Sequence, residues 1–320
     1  MFRWTIPLLL LLLASAAAAE PPSLAWPVDC RLGEDCWMLN YPDTDPGPGA
    51  RDFRCRARSY DGHDGADIAV ADRRAVERGV EVRAAAPGVV LGMRDGEPDG
   101  AHLAGARVKG KECGNGVHIR LDNGWLARYC HMRAGSVAVR TGQRVAEGDR
   151  LGLVGLSGLS EFPHLHLDLK RDGASVDPFT GADLADGCGR PAHPLWRASP
   201  GYEPGALYAA GFADHVPTAN EIKADASSPA TLGRDRPLVL WGAVLGVAAG
   251  DRLTLVLTGP DGRVVTERTA EITKDQAWRF EATGHKAPLG GWPAGSYRGD
   301  TRLERKGQPA QARSVTVQLR

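Results

Sequence analysis

Five side chains carry the chemical signal in this sequence. His63 and Asp67 form an HxxxD pair in Gly62-His63-Asp64-Gly65-Ala66-Asp67. His164 and His166 form an HxH pair in Pro163-His164-Leu165-His166-Leu167, and His131 ends the run Tyr129-Cys130-His131 ahead of Met132. In a strand, residues two apart project from one face. His164 and His166 therefore project together, and Leu165, Leu167 and Leu169 are buried on the other side. Two imidazoles side by side repel when protonated and become favourable once one is deprotonated and bound to a cation. Imidazole nitrogen and carboxylate oxygen suit zinc, and two histidines plus one aspartate leave a fourth tetrahedral position for water, the pattern of a catalytic metal site. The blander reading makes HxH two exposed rings on a polar strand and His131 a satisfied core residue. The two pairs taken together, in Gly-rich surroundings, favour the metal.

The elements that must position these groups are strands. From about Tyr60 to Phe179 the chain reads as short strands separated by glycine, with Ala71 to Arg78 either a helical turn or two or a loop. If Asp122-Asn123-Gly124 turns a hairpin, Leu121 faces Trp125 and His131 lies opposite Asn115, on the face of Val117, Ile119, Ala127 and Tyr129. His118 then faces Arg128 on the other side, beside Cys130, which makes His118 a bystander and points Cys130 away from the metal. A bulge in the hairpin overturns this register.

Around that region the sequence divides further. Residues 1–19 read as a secretory signal peptide: Arg3, an apolar run that includes Leu8 to Leu13, and Ala17-Ala18-Ala19 as the cleavage site. The run is too short for a membrane span, and no later stretch is apolar enough for one. The chain is accordingly expected in the periplasm or outside the cell. Six cysteines, with no C-x-x-C pair, read there as structural disulfides whose pairing the sequence does not choose. Residues 20–59 form a Cys- and Pro-rich, stapled arm, 60–185 the region holding the five side chains, 186–230 a loosely packed linker, and 231–320 a small β-sandwich of immunoglobulin-like type. Leu253, Leu255 and Leu257 alternate there with Thr254, Val256 and Thr258, and Gly259-Pro260-Asp261-Gly262 turns between strands. The expected fold class is mainly β: a compact antiparallel domain with a disulfide-stapled N-terminal arm, then the sandwich. With 39 basic against 39 acidic residues, the chain lacks the positive excess that gripping nucleic acid or an anionic membrane requires.

From Gly62 to Phe179 the sequence resembles the lysostaphin-like (LytM-type) zinc metalloendopeptidases, which cleave peptidoglycan peptides. The resemblance rests on His63-x-x-x-Asp67-Ile68-Ala69, Gly79 to Val90 with Ala84-Ala85-Ala86-Pro87-Gly88, Gly116-Val117-His118-Ile119, and Tyr129-Cys130-His131-Met132. It continues through Gly142-Gln143-Arg144-Val145, Gly148 to Gly152, His164-Leu165-His166 and Asp177-Pro178. It implies one Zn2+ per chain, bound by His63, Asp67 and His166, with His131 and His164 unligated and acting on the water and the transition state. It also implies a compact antiparallel β domain with the site in a groove. Cys130, where the family usually has a small residue, and Leu167-Asp168, where Phe-Glu is common, depart from the pattern without touching the five positions.

No HExxH glutamate is present, so an imidazole must take the proton; His131 and His164 share the roles of base and oxyanion stabiliser, their division left open. Asp168, two residues from His166, is placed to orient a ring. Tyr60 and Asn115 border the groove, the insert between Val90 and Gly116 forms one of its walls, and His102, His193, His215 and His285 lie on the surface. The function so implied is that of a secreted zinc endopeptidase acting on peptide cross-links of bacterial peptidoglycan, with a D-amino-acid cross-link preferred over a glycine bridge. The alternative is a non-catalytic cell-wall binding module or a regulator of wall amidases, as relatives that have lost ligands are. The C-terminal sandwich is expected to position or shield the catalytic domain as a separable accessory, dispensable for small peptides.

Overall fold

The computed structural model describes residues 20–320, so the signal-peptide reading lies outside the described residues. The first body contains strands β1 (Cys36–Asn40), β2 (Gly65–Val70), β3 (Glu81–Arg83), β4 (Gly88–Arg94), β5 (Asn115–Leu121), β6 (Leu126–Met132), β7 (Arg144–Val145), β8 (Arg150–Leu153), β9 (His164–Arg171) and β10 (Ala174–Val176), with helix α1 (Arg73–Arg78) after β2. Its main sheet runs β1-β2-β9-β6-β5-β4-β7, with β10 on β9, and every pairing is antiparallel. The mainly-β antiparallel expectation therefore holds. The Ala71–Arg78 stretch resolves as helix: Asp72 caps it by accepting from the Ala75 N–H at 2.8 Å, and Gly79, at φ +87°, ends it.

The core of this body lies on one face of the sheet and takes alternate residues, among them Met38, Ile68, Tyr129, Leu165, Leu167 and Leu169. Three disulfides use all six cysteines: Cys30–Cys36, Cys55–Cys188 and Cys113–Cys130. The N-terminal segment is more than a stapled arm. Its strand β1 hydrogen-bonds to β2 and forms the edge of the main sheet.

The second body is a two-sheet sandwich. Strands β11 (Ala206–Ala213), β13 (Leu238–Val247) and β16 (Gln276–His285) form one sheet. The other contains β12 (Thr231–Leu232), β14 (Arg252–Thr258), β15 (Val264–Glu271), β17 (Gly295–Glu304) and β18 (Gln311–Leu319). Leu253, Leu255 and Leu257 point inward as their alternation requires, against Phe212, Leu240 and Val244 of the opposite sheet.

The linker reading of 186–230 is corrected here. Ala206–Ala213 is a buried strand on β13, and helix α2 (Ala219–Ala224) follows it, closed by a Thr218–Glu221 capping box. Small residues hid this strand: Ala206, Ala209, Ala210 and Gly211 give almost no alternation of hydropathy. A third apolar cluster joins the two bodies. Trp37, Leu39 and Ala69, on the far face of β1 and β2, pack with Tyr208, Trp241, Ala243 and Leu245. Both faces of β13 are covered, which is why its sequence LVLWGAVLGV is apolar throughout. The two bodies therefore share an apolar interface.

Candidate metal centre

Strands β2 and β9 bring the first three groups together. In their register Asp67 lies directly opposite His166 and Ala69 opposite His164. Directly opposed residues of an antiparallel pair share a face, so Asp67, His164 and His166 stand on the side away from the leucine core. His63 lies just before β2, in a turn where Gly62 takes φ +77° and donates its N–H to Asp43 Oδ2 at 3.0 Å. At Gly65 only glycine fits, because a Cβ there would lie 2.7 Å from the His166 ring.

The donor atoms converge. His63 Nε2 lies 3.0 Å from Asp67 Oδ1 and 3.2 Å from His166 Nδ1, and His166 Nδ1 lies 2.9 Å from Asp67 Oδ1. A tetrahedral zinc with bonds of about 2.0–2.1 Å needs donors about 3.3 Å apart. Two imidazole nitrogens and one carboxylate oxygen, all buried, fit such an ion in both donor chemistry and spacing.

Each ring is held from behind. His63 Nδ1 donates to the Tyr41 carbonyl at 2.9 Å, and the second oxygen of Asp67 accepts from Asn40 Nδ2 at 2.9 Å. His166 Nε2 faces Asp64 Oδ1 at 3.3 Å and Asp168 Oδ2 at 3.5 Å, while Arg128 binds both carboxylates, through Nε to Asp168 at 2.7 Å and through Nη2 to Asp64 at 3.2 Å. These outer partners fix which nitrogen of each ring faces inward. Burial opposes both charges, yet the three carboxylates around His166 raise its pKa well above the ordinary histidine value. The imidazoles around Asp67 hold its carboxyl well below the usual range despite that same burial.

His131 and His164 stand beside this trio, their ring centroids 4.6 Å apart, with His131 5.9 Å from His166. His131 Nδ1 donates to the Ser157 carbonyl at 2.8 Å, and His164 Nδ1 donates to the Phe162 carbonyl at 2.8 Å. In the neutral tautomer both therefore present an unprotonated Nε2. Burial first, then the neighbouring His164 and His166, lower the pKa of His131 well below the ordinary value.

The hairpin departs from the expected register at one place. Val117 faces Tyr129 and His118 faces Arg128, as the turn at 122–124 requires, but Asn115 pairs with Met132 because the ladder bulges between Asn115 and Val117. The metal face is that of Arg128 and Cys130, which lie opposite Asp168 and His166. Cys130 thus stands on the site's side of the sheet, tied to Cys113, and does not point away. His118 shares that face, yet belongs to none of the groups spaced to hold a metal. By alternation His131 belongs with Tyr129 in the core. The bulge, with His131 at φ +62°, turns its ring into the site and gives the core position to Met132.

An open cleft of about 400 Å³ meets Asp67, His131 and His164. Tyr60 lines it as expected and lies over His63 with ring centroids 4.5 Å apart. Asn115 does not. It is fully buried and its side chain holds the insert, accepting from the Glu97 N–H at 2.7 Å and donating to the Glu97 and Met132 carbonyls. His102 is another correction: half-buried on the insert, it lines the cleft, whereas His193, His215 and His285 are exposed. Sequence reasoning missed Leu159, Phe162, Lys223 and Trp278 in the cleft wall. Phe162 could have been found from its place two residues before His164; Lys223 and Trp278 carried no local signal.

Residues 61–178 match the family model described as Peptidase family M23. These residues form an M23-family peptidase domain. An uncharacterized metalloprotease of Haemophilus influenzae is 32% identical over 95 residues, covering 29% of this chain and 20% of its own. The peptidoglycan DD-endopeptidase ShyC of Vibrio cholerae is 36% identical over 67 residues, covering 21% and 15%. The cell division protein DipM of Caulobacter vibrioides is 33% identical over 92 residues, covering 29% and 14%. The chain thus spans a fifth or less of the length of these curated relatives. A solved catalytic domain of a prophage-encoded M23 protein from Enterococcus faecalis aligns at 23% identity over 47% of this chain and 94% of its own, with a TM-score of 0.33. Among the described residues, no helix is long and apolar enough to cross a membrane.

Proposed function

We propose that the protein is an exported, periplasmic or secreted, zinc metalloendopeptidase that hydrolyses peptide cross-links of bacterial peptidoglycan. One observation carries this reading: three donor atoms from His63, Asp67 and His166 lie within 3.2 Å of one another, and two further imidazoles flank them at an open cleft, the Nε2 of His164 lying 3.4 Å from Asp67 Oδ1. The M23 domain and the similarity to a peptidoglycan DD-endopeptidase support the substrate class.

His63, Asp67 and His166 would hold the zinc, which when bound supplies Lewis acidity toward a peptide carbonyl and makes water acidic enough to attack it. The remaining work falls to the chain itself. Among the described residues no carboxylate stands free beside the trio to serve as base: Asp67 is occupied by His63, His164, His166 and Asn40, and Asp64 and Asp168 are held by Arg128. His131 and His164 therefore move the proton. One accepts it at Nε2 as the nucleophile attacks and returns it to the leaving amine as the C–N bond breaks; the other, protonated at Nε2 from solvent, donates a hydrogen bond to the oxyanion. The depressed pKa of His131 keeps it unprotonated and able to accept at neutral pH.

The test is release of soluble fragments from purified peptidoglycan, with their masses giving the bond cleaved. Activity should vanish with a chelator and return with zinc. A preparation that binds peptidoglycan and releases nothing with zinc present would instead be the wall-binding module or amidase regulator.

A further inference from the structure

The cleft that reaches His131 and His164 is partly lined by the second body. Ala277 and Trp278 of β16 and Lys223 of α2 line it together with Tyr60 and Leu159. None of these three lies within the segment that matches the peptidase family. They are fixed in place: Trp278 Nε1 donates to the Tyr208 hydroxyl at 3.0 Å, and its ring meets that of Phe162 edge-on at 6.1 Å. The Lys223 ammonium sits 5.4 Å from the Phe162 centroid and 5.3 Å from that of Trp278, held in a cation–π cradle. One of its three N–H donors goes to Glu161 Oε2 at 2.6 Å, and no other described residue accepts from it. Its side chain keeps 20% of its exposure. The wall thus offers an apolar aromatic platform and, beside it, an ammonium that is ion-paired to Glu161, itself a lining residue, and keeps unused donors.

We propose that this wall is a substrate subsite. Trp278 and Phe162 carry an apolar stretch of the peptide, and Lys223 binds a carboxylate of that peptide, so the second body selects acidic peptides for the catalytic groups opposite. The inference rests on the peptidase reading for its substrate class. Physically it follows from the apolar cluster the two bodies share, Trp37 and Leu39 with Trp241 and Leu245, against which Phe162 and Trp278 also pack. A subsite made by an aromatic face and a charge discriminates by the charge, because an uncharged isostere forgoes the charge-assisted contact and leaves the ammonium with Glu161 alone.

The experiment is equilibrium binding by calorimetry to the full-length chain, with chelator present so that nothing is cleaved. The ligands are a cross-linked muropeptide with free carboxylates and the same peptide with its carboxylates amidated. Lys223→Met should weaken binding of the free acid by about five- to tenfold, the scale of one charge-assisted contact, and leave the amidated peptide unchanged. Trp278→Ala should weaken both peptides alike, and Trp278→Phe should recover most of that loss. The proposal is overturned if the wild-type chain binds both forms equally, if it binds neither, or if Lys223→Met shifts both affinities together. Hydrolysis is scored separately with zinc. Cleavage with unchanged Lys223→Met affinities would sink the subsite and keep the peptidase, and charge-selective binding without cleavage would do the reverse.

Discussion

Asn115 pairs with Met132 rather than with His131, and the residue that the ladder skips is the one whose ring enters the site. The His131 backbone pays for this with φ +62°, a region that costs an L-residue about 1–2 kcal/mol. Two variants separate strain from chemistry. His131→Ala and His131→Gly both remove the imidazole and should both lower turnover by about 10²–10⁴-fold while keeping one zinc per chain. The glycine variant should be the more stable by about 1 kcal/mol, because glycine tolerates the left-handed backbone. Thermal unfolding of the two side by side decides it. If the alanine variant melts higher, the backbone there carries no such strain.

The same bulge marks how far the sequence could be read. The HxH pair was legible because strand periodicity is local: His164 and His166 share a face whatever they meet. The hairpin turn at 122–124 was equally legible, and it set Val117 against Tyr129 correctly. Which face carries the metal was not legible, because that depends on β9 lying beside β6 and on one inserted residue. The second body's share in the cleft was hidden for a related reason. Trp278 and Lys223 sit in elements whose own patterns speak only of a sandwich strand and a short helix, and their role arises from how two bodies dock.

The ligand His166 is oriented through its outer nitrogen by Asp64 and Asp168, at 3.3 and 3.5 Å, and both are clamped by Arg128. Removing both carboxylate charges, in Asp64→Asn with Asp168→Asn, frees the ring to rotate and weakens its hold on a metal. Zinc affinity should fall by about 10–100-fold, while His63→Ala or Asp67→Ala should abolish stoichiometric binding altogether. Competition against a chromophoric chelator measures both. Wild-type affinity in the double variant would mean that packing alone orients His166.

The docking of the two bodies has a consequence for truncation. Ending the chain at residue 230 removes Trp241, Ala243 and Leu245 and leaves Trp37, Leu39, Ala69 and Tyr208 facing water. Each large apolar side chain so exposed costs about 1.5–3 kcal/mol, so the shortened chain should be poorly soluble or lack a cooperative melt. Trp241→Ala in the full chain should lower stability by about 3–5 kcal/mol through the same contact. Soluble yield and scanning calorimetry test this. A truncated chain that melts sharply at the wild-type temperature of the first body would mean that the shared cluster contributes little.

Asp177 gives the stability a pH dependence of its own. Its Oδ1 accepts from the Phe179 N–H at 2.8 Å, but its Oδ2 is buried without a partner. Burial raises its pKa from 3.8 to about 7. The folded chain therefore holds a proton there that the unfolded chain has lost once the pH exceeds about 4. A folded-state pKa above the unfolded one favours the native state fully at low pH, and that advantage disappears as pH rises toward 7. At about 1.4 kcal/mol per unit this amounts to a few kcal/mol across the window. Asp177→Asn has no proton to lose, so its stability relative to wild type should rise steadily from pH 4 to pH 7 and level off above. The comparison cancels titrating groups that do not interact with Asp177; the neighbouring Asp52 carboxylate, which helps to raise the Asp177 pKa, stays coupled to it. Parallel stability curves for the two proteins across that range would show that Asp177 is ionised in the native state and that its second oxygen finds a partner.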